Sequence, residues 1–97
     1  LARLVGRARA GGKRVGLLLT TETAGEYCRQ KIQPDYLEVL GSRGNPRQIA
    51  ACLFDALRNC DRHHLDLVYA ESIPEKDIGL AVMNRLLKAA GYRVIRV

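Results

Sequence analysis

Tryptophan is absent from this 97-residue chain, and phenylalanine occurs once. With so few aromatic rings, none interleaved with the basic residues, the sequence offers no stacking platform for nucleic-acid bases. No run of about 18 apolar residues exists, so no membrane-spanning helix is expected. The longest apolar stretch near the start, Val15–Leu19, is too short for a secretory leader and lacks its cleavage pattern. Three cysteines, Cys28, Cys52 and Cys60, form no CxxC pair. An odd count without a pairing pattern suits a reducing compartment, the cytoplasm, and the thiols are expected to be buried as small hydrophobes. The phosphate loop GxxxxGK[ST], the dinucleotide fingerprint GxGxxG and the nucleophile elbow GxSxG are all missing. No catalytic set is visible.

What is present is one domain's worth of alternating helical and strand-like segments. Net charge is +6, and five bases (Arg3, Arg7, Arg9, Lys13, Arg14) with no acid fall in residues 1–14. The other 83 residues are nearly neutral. A solvated face of the first helix is preferred to a nucleic-acid contact, because no binding motif accompanies the bases.

Residues 1–11 place Leu1, Leu4, Val5 and Ala8 at helical spacing, and Gly11-Gly12 ends the helix. Lys13–Leu19 reads as a strand buried on both faces. Thr20 or Thr21 caps a short helix through Lys31, with Ala24, Tyr27, Cys28 and Ile32 inward. Tyr36–Leu40 reads as a second strand. In Gly41–Pro46, Asn45 is a helix cap, Pro46 suits the first helical position, and Gln48 completes a capping-box spacing. That helix runs to about Cys60, with Ile49, Cys52, Leu53, Ala56, Leu57 and Cys60 inward. Leu65–Ala70 is a third strand and Arg93–Val97 a fourth. Between them, Asp77 caps a helix over Ile78–Gly91 whose Val82, Met83, Leu86, Leu87 and Ala90 share one face. Short connections and apolar strands predict an open α/β fold, with a mainly parallel sheet and helices on both faces.

In such sheets ligands bind beyond the carboxyl ends of the strands, near helix N-termini. The loops Thr20–Thr23, Gly41–Asn45 and Glu71–Asp77 lie at that edge. The anion-binding candidates are Ser42, Arg43 and Gly44, with Glu71 at the end of the third strand. A tight turn with a cap is the plainer explanation of the loop, and Glu71 has Lys76 or Arg43 as a possible pairing base. His63-His64 lacks a third metal ligand and precedes a strand, so no metal site is expected.

The segments GLAVMNRLLKAAG, LGSRGNPRQIAACLFDALRNCD, DLVYAE and VGLLLT resemble the C-terminal domain of the long form of threonylcarbamoyl-AMP synthase. The resemblance runs from about Gly12 to Val97. One departure is that Ser72 follows Glu71, where many relatives have glycine. The resemblance implies a Rossmann-like accessory domain, 1–97, with residues 1–11 as its leading helix. In the family a strand precedes that helix, and a catalytic N-terminal domain lies upstream of the piece in hand. It implies a parent nucleotidyltransferase that uses threonine, bicarbonate and ATP with magnesium, serving tRNA threonylcarbamoyl-adenosine formation in the cytoplasm. No cofactor is expected in this domain, and the fragment alone is expected to be inactive. Its expected partner is the catalytic domain of the same protein, with the tRNA-modification machinery an indirect one and neither a membrane nor direct nucleic-acid contact expected. Asn84 and Arg85, on the shoulders of the last helix, are the interdomain contact candidates. The alternative is an independent small-molecule or nucleotide-binding α/β module.

Overall fold

The computed structural model describes residues 2–71 and 93–95. In chain order the elements are α1 (Ala2–Ala10), β1 (Val15–Thr20), α2 (Thr21–Tyr27), β2 (Tyr36–Gly41), α3 (Pro46–Arg62), β3 (Leu67–Glu71) and β4 (Arg93–Ile95). The strands pair in the order β2-β1-β3-β4, and every pairing is parallel. The expected open, parallel α/β fold is therefore present. The Ile78–Gly91 helix, with Asn84, Arg85 and its apolar face, lies outside the described residues, as does the 72–77 loop.

β1 is central, and all six of its residues are buried. Side chains alternate across a strand. Leu18 therefore meets Leu40, Val68, Ala70 and the inward face of α3 (Ile49, Leu53, Ala56, Cys60) on one side of the sheet. Val15, Leu17 and Leu19 meet Tyr69, Val5 of α1, and Ala24 and Tyr27 of α2 on the other. One continuous apolar run thus feeds two cores, which is why it shows no alternation in sequence.

α3 begins as its residues dictate. Asn45 Oδ1 accepts the Gln48 amide at 3.2 Å, and Pro46 occupies the first turn. The capping box is half made: the Asn45 amide donates to the Ser42 carbonyl at 2.9 Å instead of to Gln48, whose side chain lies over Gly41. α3 runs two residues past the expected end. It stops where His64 takes φ 51°, the left-handed role glycine fills in most helix ends.

α2 is shorter than the sequence suggests. It ends at Tyr27, where the Cys28, Arg29 and Gln30 amides turn back on Ala24, Glu26 and Tyr27 carbonyls. Cys28 and Ile32 are consequently exposed rather than inward, and Cys28 is no buried thiol. Cys52 is half-buried and Cys60 buried. Burial, with smaller contributions from Glu38 and Asp61, pushes the Cys60 thiol up to about 11.

Two outcomes follow from this packing. Leu53 is fully buried and its neighbour Phe54 is 57% exposed. Leu53→Ala should cost about 2–5 kcal/mol in chemical denaturation and Phe54→Ala less than about 1 kcal/mol; equal losses would reverse the orientation of α3. With a thiol reagent at pH 8, Cys28 should react in the native state, and Cys60 only at the rate of global unfolding. Mass mapping of the modified cysteines reads this directly.

Candidate functional site

Strand order 2-1-3 means that the chain leaves β1 in one direction and returns from β2 on its other side. The crevice between the carboxyl ends of β1 and β3 is the topological switch point, the usual ligand position in open α/β sheets. Thr20 ends β1 and Glu71 ends β3, so the two face each other there.

Thr20 has three tasks. It closes β1 and caps α2 with extended backbone (φ −74°, ψ 163°), and its Oγ1 accepts the Thr23 amide at 3.4 Å. Its own amide donates to Glu71 Oε1 at 3.0 Å, and its hydroxyl lies 3.1 and 3.0 Å from the two carboxylate oxygens. Glu71 is 3% exposed. A carboxylate so placed needs compensating donors. Arg43 supplies the charge: its Nε donates to Glu71 Oε2 at 3.0 Å and its Nη2 to Thr23 Oγ1 at 2.6 Å. Arg43 is half-exposed, so this pair works partly in solvent.

A backbone irregularity brings Arg43 there. Leu19 pairs with Val39, but Thr20 pairs with Gly41, leaving Leu40 as an extra residue. Gly41 takes φ 138°, which side-chain-bearing residues rarely adopt, and a Cβ on it would meet Gln48 Oε1 at 2.9 Å. The bulge turns the following loop toward the β1 end.

The same loop holds a second carboxylate. Glu22, in the first turn of α2, accepts the Arg43 amide at 2.7 Å through Oε1 and the Ser42 hydroxyl at 3.2 Å through Oε2. The Gly44 amide donates to Ser42 Oγ at 3.2 Å. The Arg43 amide is the main cause that holds the Glu22 carboxyl below its ordinary value of 4.5, with the Ser42 hydroxyl and the Arg43 charge adding less.

The four anion-site candidates therefore sit at one edge. Arg43 and Glu71 are brought into contact, while Ser42 and Gly44 stand beside them in the loop. Of the two bases considered for Glu71, Arg43 is bonded to it, and Lys76 lies outside the described residues. The sequence reading missed Glu22. Thr20 and Thr23 were legible as a strand end in a loop at the ligand edge, with Thr20 or Thr21 as the cap, but not as partners of Glu71 and Arg43. Chemically, the arrangement is a cation and a set of amide and hydroxyl donors already committed to the chain's own carboxylates.

A second polar cluster lies on the α3 face. Glu38 accepts from the Tyr36 hydroxyl and, at 2.8 Å, from Asn59 Nδ2. Burial first, then the Glu38 carboxylate, pushes the Tyr36 phenol up to about 12. His63 stacks on Tyr36 with centroids 4.2 Å apart, and its Nδ1 is 2.7 Å from the Asn59 carbonyl. A carbonyl only accepts, so that nitrogen carries the proton. Among the described residues, no three His, Cys, Asp or Glu side chains gather as metal ligands, and no helix is long and apolar enough to cross a membrane.

Fold and site together define a doubly wound, parallel α/β domain whose described switch-point residues bond to one another. Residues 2–91 match the family described as "Threonylcarbamoyl-AMP synthase, C-terminal domain", and the chain belongs to that family. It is 46% identical over 96 residues to a threonylcarbamoyl-AMP synthase of Bacillus subtilis, and 40% identical over 97 residues to one of Pyrococcus abyssi. A solved structure of a doubly substituted Pyrococcus abyssi Sua5 matches with TM-score 0.72 and 38% identity, covering 99% of this chain and 25% of that one. The two sequence matches cover 99% and 100% of this chain but 26% and 25% of the relatives, so the chain spans about a quarter of their length.

The Glu22 contact has a pH signature. Its folded value is depressed, so its contribution to stability is present above the unfolded value near 4.5 and is lost as pH falls through the lower folded value. A carboxyl-detected NMR titration should place the Glu22 midpoint below 4.5, with the Arg43 amide moving in the same step. A midpoint at or above 4.5 would break the assignment.

Proposed function

We propose that this chain is the accessory domain of an ATP-dependent threonylcarbamoyl-AMP synthase, a nucleotidyltransferase of tRNA threonylcarbamoyl-adenosine formation in the cytoplasm, and that it contributes no chemistry of its own. It acts by docking on the catalytic part of the parent chain, helping to close or regulate that active site. The magnesium-bound ATP of the reaction belongs to that other part. Family membership supports the parent activity, and the quarter-length match supports a division of labour within a longer chain.

The observation that carries the silent role is the state of the switch point. Phosphoryl and nucleotidyl chemistry needs donors free to take charge that builds on the phosphates. Here the Arg43 guanidinium serves Glu71 and Thr23, and the Arg43 amide serves Glu22. A triphosphate entering this crevice would have to displace two carboxylates and would meet their negative charge.

The test is direct. The 97-residue chain with ATP, threonine and bicarbonate should release no pyrophosphate above background. Covalent restoration of the catalytic part should bring activity back, and Asn84→Ala or Arg85→Ala in that longer protein should lower it with this domain still folded. Pyrophosphate release by the purified chain would overturn the proposal. An independent ligand-binding module would instead show amide shifts at Ser42, Arg43 and Gly44 with millimolar ATP or pyrophosphate.

A further inference from the structure

α3 carries more apolar surface than the core uses. Its inward residues, Ile49, Leu53, Ala56 and Cys60, are buried against the sheet. Phe54 lies about 100° round the helix from Leu53 and is 57% exposed. A single apolar side chain on a surface needs no explanation. Phe54 is not single. Ala50, one turn before it, and Leu57, one turn after it, are half-buried at the edge of the core, and Ala51 is exposed. Residues three and four apart are neighbours on a helix surface, so these four form one continuous strip with the aromatic ring at its centre. The strip runs from the packed face of α3 onto its outer side, where more than half of the ring stays in water.

Charge of both signs surrounds the strip. Asp55 and Arg58, 3.9 Å apart and both exposed, lie on its solvent side. Arg47 and Asp61 stand two turns to either side of Phe54, about 21 Å apart along the axis. An aromatic anchor among smaller apolar residues, inside a rim of mixed charge, is the anatomy of a protein–protein contact. The acids in that rim repel phosphates, which argues against a nucleic acid. They argue equally against an anionic membrane, which takes a broad apolar face with basic flanks.

We infer that the Phe54 face of α3 is the seat on which the rest of the parent chain docks. The inference rests on the accessory role proposed above and names the surface that performs it. Area selects this occupant. A phenylalanine and its neighbours on one helix bury on the order of a few hundred Å². Two free proteins, or two copies of this chain, need about 1,200–2,000 Å² for a stable complex. A partner on the same chain needs less, because a tether holds it at an effective concentration on the order of mM. The relatives meet that condition, since the segment matched to this chain is about a quarter of a longer one.

The experiment is site-specific photo-cross-linking in the full-length parent protein. Phe54→p-benzoylphenylalanine keeps an aromatic side chain at the anchor. Val39→p-benzoylphenylalanine is the control: Val39 is 46% exposed and shares the side of its β1 partner Leu19, across the sheet from α3. Circular dichroism checks that both variants fold. After irradiation, mass mapping should find position 54 joined to a peptide of the same chain from outside residues 1–97. The yield should be at least fivefold that at position 39 and unchanged by tenfold dilution. A cross-link between two chains that fades on dilution would make the occupant a second copy and overturn the inference. Equal yields at the two positions, or products confined to residues 1–97, would also overturn it. The readout is contact and not turnover, so it succeeds or fails separately from pyrophosphate release.

Discussion

A carboxylate with almost no contact with water sits where two strands end, and the neighbouring loops are arranged around it. Glu71 is 3% exposed at the tip of β3. Burying such a group is costly unless charge and hydrogen bonds are supplied together. Its donors come from two other strand ends: the Thr20 amide and hydroxyl from β1, and the Arg43 guanidinium from the loop after β2. One anion therefore ties the carboxyl edges of β1, β2 and β3. Among the described residues, no buried side-chain nitrogen or oxygen is left without a partner, so the buried part of this polar cluster is satisfied.

The sheet beneath was legible because apolar patterning reports burial, and burial decides the layers. Val15–Leu19 announced a strand covered twice, and the 46–62 helix showed its inward face through Ile49, Leu53, Ala56 and Cys60. Helix ends were less legible. Cys28 and Ile32 continue the helical spacing of Ala24 and Tyr27, but the backbone turns at residues 28–30 and leaves them outside. Periodicity says which face would be inward if the helix continued; it does not say that it continues. α3 erred the other way. Its last turn is polar, and it is stopped by a histidine in a left-handed conformation that sequence ordinarily assigns to glycine.

The site was legible residue by residue and hidden as a constellation. Arg43 and Glu71 are 28 positions apart. Nothing in their spacing says that β1 lies between β2 and β3, which is what brings the ends together. Glu22 was missed for the same reason. It reads as an ordinary acid in a helix's first turn, favourable to the dipole and needing no partner. Only the parallel pairing of β1 with β2, including the extra residue at Leu40 that sets Thr20 opposite Gly41, carries the 42–44 loop over the start of α2. Long-range pairing made the contact, and local chemistry made it stable.

The two groups of cations obey different physics, and the difference separates what the fold requires from what it leaves open. Arg43 reaches a nearly buried carboxylate, and removing its side chain would leave Glu71, among the described residues, with Thr20 alone. In that setting an ion pair fixes geometry because losing either partner is expensive. Arg3, Arg7, Arg29 and Lys31 are exposed and hydrated, and no ion pair or side-chain hydrogen bond ties them within the described residues. Surface charges of that kind contribute little to stability, and their mutual repulsion is weakened by salt. Folding therefore places few demands on them. Near them the fold does enforce one close approach: Gly6 on α1 leaves room for Ile32, and an added Cβ there would stand 3.2 Å from Ile32 Cδ1. Bulk at Gly6 would press on that packing with no charge altered, so the seat of the turn after α2 depends on backbone approach as well as on composition.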